Sequence, residues 1–177
     1  MPKYEEAHKE HINKYKMAHM IGVAEYMRER AEDYGIDPNL AYTVGLLHDI
    51  GYLVNRNQHE MHGCKILFDL GVTNQDVLNS VLYHGSNPYE LEAEDISPLL
   101  VLAYEADLSI DAEGHRVGFD KRLKDIETRL KGTEYYDDAV KTSQSAVAFV
   151  KEWQEEHSIP RPPKGFFQRM NKEEHNK

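Results

Sequence analysis

His48-Asp49 sets an imidazole beside a carboxylate at the end of an apolar run, Ala41 to Leu47, whose composition belongs in a protein interior. A carboxylate taken out of water without a partner is costly, so this position needs a cation or dense hydrogen bonding. A metal ion satisfies both side chains. Four more metal-capable residues, His19, His62, His84 and Asp107, also stand within or beside apolar segments. His19, His48, Asp49 and Asp107 offer two imidazoles and two carboxylates, a mixed N and O set that suits a divalent transition metal better than Ca²⁺. His62 and His84 are candidates for a second position, with Asp49 bridging the two ions. A pair of ions can activate a water and hold a phosphoryl oxygen at the same time.

Each of these residues also has an ordinary role open to it. A histidine on an apolar helix face is commonly a hydrogen-bonded core residue, Asp49 is placed to end a helix facing solvent, and Asp107 is placed to cap a turn toward Asp111. Such accounts work one residue at a time and leave the recurrence of metal-capable side chains unexplained. His8, His11, His115, His157 and His175 lie in polar surroundings or near the ends and read as surface residues. His59 precedes His62 by three residues and shares roughly its helix face. Tyr52, Arg56, Lys65 and Tyr83 are close enough in sequence to contact a phosphate or a base, although packing or solvated charge is the commoner role. Met17, Met20, Met27 and Met61 read as core or gap-filling residues, and nothing marks Cys64 as a nucleophile.

Apolar spacing is helical nearly throughout, with no sustained alternation of the kind a half-buried strand shows, which predicts an all-α fold. A long first helical region covers Tyr4 to Tyr34, with a break expected before Met17, and Gly35 stops it. Asp37-Pro38 then supplies an N-cap and a first helical proline for the segment carrying His48-Asp49, which should end near Ile50-Gly51. A loop through Asn55-Arg56-Asn57 precedes a helix bearing His59, His62, Ile66 and Leu67, stopped by Gly71. Thr73 with Asp76 resembles a capping box for a helix ending at His84-Gly85. Ser97-Pro98 starts the apolar segment Leu99 to Leu108, which contains Asp107. Residues Asp111 to His115 form a loop, and helices follow near Phe119 to Lys131 and Asp137 to His157. Residues 1–158 thus make one helical domain with its core at about 11–129, and residues 159–177 a Pro-rich, polar tail.

A chain of 177 residues is long enough for one independent core. No apolar stretch approaches the roughly 20 residues of a membrane span, and the N-terminus has no apolar signal core. With one cysteine there is no intramolecular disulfide framework, which together predicts a cytoplasmic protein. The formal net charge of −10 argues against general affinity for long nucleic acid, while small nucleotides stay open because bound metal supplies local positive charge. The acidic surface and the tail aromatics Phe166-Phe167 are compatible with a homodimer.

The order His19, His48-Asp49, Asp107 in an all-helical chain resembles the HD-domain superfamily of metal-dependent phosphohydrolases. The likeness covers roughly His11 to Arg129 and rests on local contexts: Ala18-His19-Met20 near a helix start, Gly45-Leu46-Leu47-His48-Asp49-Ile50-Gly51 at a helix end, and Glu105-Ala106-Asp107-Leu108. The resemblance implies an HD-type helical bundle in which His19, His48, Asp49 and Asp107 bind one metal, commonly Mn, Fe, Mg, Ni, Co or Zn. His62 and His84 match the extra histidines of two-metal branches, which favours iron or manganese, and the preference for His62 over His59 comes partly from this match. Some two-metal branches carry a lysine after the signature where this chain has Tyr52. The Gly-Tyr-Pro element of the cyclic-dinucleotide branch is absent, and the large triphosphohydrolases need a longer chain, so a small nucleotide or another phosphate ester is the expected substrate.

The mechanism implied is attack on phosphorus by a metal-activated water positioned by Asp49, with His62 or His84 protonating the leaving oxygen if not coordinated. Two alternatives belong to other classes. One is a non-catalytic nucleotide-sensing or regulatory module, which would bind without hydrolysing. The other is an oxidation by a di-iron pair, which would depend on dioxygen.

Overall fold

The computed structural model describes residues 16–163 and 165–167. The described residues form seven α-helices and no strand beyond an isolated bridge between Ile110 and Arg116. Helix α1 spans Met17–Arg30 and runs into a 3₁₀ turn, Ala31–Tyr34. The expected helical stretch from Tyr4 to Tyr15 lies outside the described residues. Helix α2, Pro38–Leu47, begins as expected: Asp37 Oδ1 accepts from the backbone N–H groups of Asn39 at 2.7 Å and Leu40 at 3.0 Å, and Pro38 fills the first turn.

Helix α2 stops at Leu47, short of the expected Ile50-Gly51. His48 is its C-cap, and its ring Nδ1 donates to the Gly45 carbonyl at 2.6 Å, satisfying an oxygen that has no partner within the helix. Asp49 then leaves the helical basin at φ −103°, ψ 13°, and a 3₁₀ turn, Ile50–Leu53, follows. Helix α3, His59–Asp69, and helix α4, Gln75–Tyr83, form the next antiparallel pair. The cap of α4 is Asn74, whose side chain accepts from Val77 N at 3.2 Å, one residue after the expected Thr73. Helix α5, Pro98–Asp107, is capped by Ser97, which accepts from Leu100 N at 3.2 Å. Helices α6, Phe119–Leu130, and α7, Tyr136–Glu156, complete the set.

Helix α5 is the axis of the core, with Leu99 through Ala106 all buried. The sequence there is apolar apart from Glu105, and that one charge is matched. Arg30 of α1 reaches Glu105 through Nη2 at 3.0 Å and Nε at 3.3 Å, and Gln154 of α7 donates to the same carboxylate at 2.7 Å. Burial pushes the Glu105 carboxyl up against the opposing pull of Arg30. Helix α1 packs most closely on α2, where Gly45 is required: a Cβ there would come within 2.6 Å of Ala24 Cα. Residues 165–167 lie against the body. Phe166 is buried edge-on to Tyr26, ring centres 5.0 Å apart, so this aromatic is consumed within the chain. No described helix is long and apolar enough to cross a membrane.

Candidate metal centre

The ends of α2, α4 and α5 and the beginnings of α1 and α3 meet at one point. His19 comes from the first turn of α1, His48 caps α2, Asp49 follows it, His59 opens α3, His84 caps α4, and Asp107 closes α5. Capping explains why histidines stand at two of these ends. Like His48, His84 turns its Nδ1 back to the carbonyl three residues earlier, Val81 O, at 2.8 Å. His19 donates from Nδ1 to Asp111 O at 2.9 Å, which ties α1 to the turn after α5. A carbonyl oxygen only accepts, so each of these rings carries its hydrogen on Nδ1 and presents Nε2 to the centre. Tyr104 steadies the α4 end further, its hydroxyl lying 2.6 Å from Tyr83 O and 2.8 Å from Ser86 O.

Asp49 lies in the middle with its two oxygens facing different groups. Its Oδ2 is 3.3 Å from His48 Nε2 and 3.9 Å from His19 Nε2. Its Oδ1 is 3.2 Å from both His59 Nε2 and His84 Nε2. Asp107 Oδ1 stands 2.8 Å from His19 Nε2 and 3.5 Å from His48 Nε2. Among the described residues, three overlapping triads have potential ligand atoms within 4.8 Å of one another: His19, His48 and Asp49; His48, His84 and Asp107; Asp49, His59 and His84.

His48 Nε2 is fully buried and has no hydrogen-bond partner, although two carboxylates lie near it. A buried ring nitrogen without a partner, inside a shell of histidine and aspartate, is a position that a cation fits. The charge balance agrees. Burial opposes a charged His48, yet Asp49 and Asp107 outweigh it and push the ring up to about 10. Burial likewise opposes the charged carboxylates, but His48 and Lys16 hold Asp49, and His19 and His48 hold Asp107, well below the usual range. One buried and one partly buried carboxylate demand positive charge here, and imidazole N with carboxylate O is a donor set that fits a divalent transition ion.

The structure thus gathers His19, His48, Asp49, His84 and Asp107, while His62 stays outside both the triads and the adjoining cavity. His59 occupies the place expected of His62. Helix α3 approaches with its N-terminus, so only its first residue reaches Asp49, and His62 sits about 4.5 Å further along the axis. The sequence offered one signal for His59, its position at the helix start.

The cluster opens into a cavity of about 780 Å³. Lys16 lines it with Nζ 3.5 Å from Asp49 Oδ2 and 3.9 Å above the centre of the Tyr52 ring, whose other neighbour is the His59 ring at 4.1 Å. Tyr52 and Arg56 line the cavity; Lys65 instead pairs with Asp69 at 2.6 Å on the exposed side of α3. Sequence reasoning missed Lys16, Arg122 and Arg129 as cavity residues. Nothing local distinguishes them from solvated charges, because only tertiary packing turns them inward.

A family model described as HD domain matches residues 17–109. Among curated proteins, Ribonuclease Y of Fusobacterium nucleatum is 35% identical over 118 residues, covering 63% of this chain and 22% of that protein. Ribonuclease Y of Acetivibrio thermocellus is 28% identical over 116 residues, 63% of this chain and 21% of that protein. Ribonuclease Y of Petrotoga mobilis is 27% identical over 133 residues, 70% of this chain and 24% of that protein. The matched part of the chain thus spans about a fifth to a quarter of the length of these relatives. No solved structure matches.

Proposed function

The chain belongs to the HD-domain family, and we propose that it is a metal-dependent phosphohydrolase acting on a small nucleotide or another phosphate ester. The observation that carries this reading is Asp49, buried, with one oxygen facing His19 and His48 and the other facing His59 and His84. One cation would be held by His19, His48, Asp49 and Asp107, and a second by Asp49, His59 and His84. Divalent ions bound there, iron or manganese by the family resemblance, would supply Lewis acidity and bring the pKa of water toward about 7.

The protein's own groups do the rest. Asp49 accepts from Lys16 Nζ at 3.5 Å, which steadies its carboxylate at the centre of the cluster. Among the described residues Lys16 is the one lysine lining the cavity, and it binds a phosphoryl oxygen, offsetting charge that builds as the ester bond breaks. Tyr52 lies between Lys16 and His59 and keeps both in place. His62 lies outside the cavity and takes no part in proton transfer under this reading.

The cavity volume of about 780 Å³ falls within the range of small-molecule sites, about 300–1,000 Å³. That favours a small nucleotide, and the net charge of −10 points the same way. The name of the curated relatives supports a second reading, hydrolysis of a phosphodiester in RNA. Metal analysis of protein purified without added metal, followed by assays on mononucleotides, simple phosphate esters and a short RNA, separates the two. Turnover should persist without dioxygen and vanish in Asp49→Asn together with metal retention. A folded Asp49→Asn protein with full metal content and full activity would refute the assignment, and binding without turnover would point to a sensing module.

A further inference from the structure

Helix α6 lies beyond the family-matched stretch, yet one of its faces forms a wall of the cavity. Arg122, Asp125, Ile126, Arg129 and Leu130 all line it, at the three- and four-residue spacing of a single helical face. Arg122 is buried and anchored: its Nε donates to the backbone oxygen of Asp107 at 3.2 Å and its Nη1 to Asp125 Oδ2 at 3.0 Å. Arg129 approaches the same Asp125 oxygen through Nε at 3.3 Å, and its side chain is 48% exposed. One carboxylate therefore faces two guanidiniums, and the wall keeps a net positive charge. Arg56 adds another guanidinium to the lining, and Glu60, Asp111 and Glu113 add carboxylates, so the positive charge of the cavity outside the cluster is concentrated on α6, Arg56 and Lys16.

Arg122 is fixed at the metal-site end through Asp107. Arg129 follows seven residues later on the same face, and its Nε meets the same Asp125 oxygen as Arg122 Nη1, so the two guanidiniums form one patch that is tied to the cluster through the Asp107 backbone oxygen and belongs to none of the ligand triads. Beside them Ile126 and Leu130 offer an apolar strip suited to a sugar or base. We infer that this wall recognises a second phosphate, so that the substrate is a small nucleotide carrying at least one phosphoryl group beyond the one cleaved, with Arg129 as the specificity-determining residue. This inference rests on the phosphohydrolase reading for its chemistry and on α6 for its selectivity.

The test compares AMP with ADP and adenosine 3′,5′-bisphosphate, using wild type, Arg129→Gln and the control Arg28→Gln, an exposed residue stacked on Tyr42 away from the cavity. Steady-state kinetics is paired with calorimetric binding to the Mn²⁺-loaded protein. Arg129→Gln should raise KM for at least one two-phosphate nucleotide by about ten- to a hundredfold, the worth of hydrogen bonds to a charged group. Its KM for AMP should rise by less than its KM for that nucleotide, its metal content should match wild type, and Arg28→Gln should change nothing. The nucleotide most affected tells whether the second phosphate is attached to the first or to the far side of the sugar. An equal effect on AMP, or no effect on any nucleotide, overturns the inference and leaves the hydrolase reading intact. Should no ester be turned over while calorimetry shows a two-phosphate preference that Arg129→Gln abolishes, the hydrolase reading fails and the recognition site stands.

Discussion

Gly51→Ala should remove the second metal position without dismantling the first. The 3₁₀ turn after Asp49 passes so close to the start of α3 that a Cβ on Gly51 would overlap the His59 carbonyl oxygen. It would also approach the His59 carbonyl carbon to 2.6 Å and Gly63 N to 2.7 Å. Carbon atoms pack at about 3.5–4.0 Å, so the first turn of α3 must retreat by roughly 1 Å or more. His59 is the first residue of that helix and retreats with it, stretching the present 3.2 Å approach of Nε2 to Asp49 Oδ1. His19, His48 and Asp107 stand on other elements and stay together. A misplacement of about 1 Å costs on the order of 100-fold in rate, and overpacking costs about 1–3 kcal/mol of stability. For a chain of this size that is a fall in Tm on the order of 2–10 °C. Elemental analysis after gel filtration, kcat, and a far-UV circular dichroism melt read the three quantities separately. Retention of two metal equivalents with wild-type turnover would show that α3 does not need Gly51 to reach the centre, and the assignment of His59 would go with it.

Three other outcomes are expected. His59→Ala should lower metal stoichiometry by one equivalent whereas His62→Ala leaves it unchanged; elemental analysis reporting the reverse would restore His62 as the ligand. In chelator-treated protein, the stabilising contribution of His48, whose pKa rises from 6.5 to about 10, is complete below about 6.5 and lost as pH climbs through about 10. Asp49 and Asp107, both lowered, contribute above the usual carboxylate range and lose that contribution as pH falls through their depressed values. The Tm of the metal-free protein should therefore decline from pH 6.5 to 10 and metal should flatten that decline, so a Tm in chelator that climbs over the same interval contradicts the charge balance. Glu105→Ala should cost about 3 kcal/mol by urea denaturation, near the low end for breaking a buried pair because Arg30 keeps Asp33 at 2.6 Å and Pro160 O at 2.9 Å. A change under about 1 kcal/mol would mean that the pair is immaterial to stability.

Helix type and most boundaries were legible because apolar spacing, Asp37-Pro38 and Ser97-Pro98 are local signals with local causes. The α2 end was misplaced because its stop is a side-chain act, His48 turning back on Gly45 O, which no spacing announces. Asp49 and Asp107 stood out because charge inside apolar sequence is a conflict that needs a resolution. His59 against His62 could not be separated on one helix face, since the choice depends on which end of α3 meets Asp49. Arg122 and Arg129 follow the same logic from the other side: on a mostly charged helix they look solvated, and only the docking of α6 makes them part of a wall.

The backbone carbonyls of Gly45, Val81 and Asp111 each occupy one nitrogen of a histidine. A ring that keeps its Nδ1 hydrogen cannot become an imidazolate, so His19, His48 and His84 can each serve one ion and never link a pair. In metal-loaded protein, a spectrum showing imidazolate coupling through any of these three rings would be foreign to this main-chain arrangement.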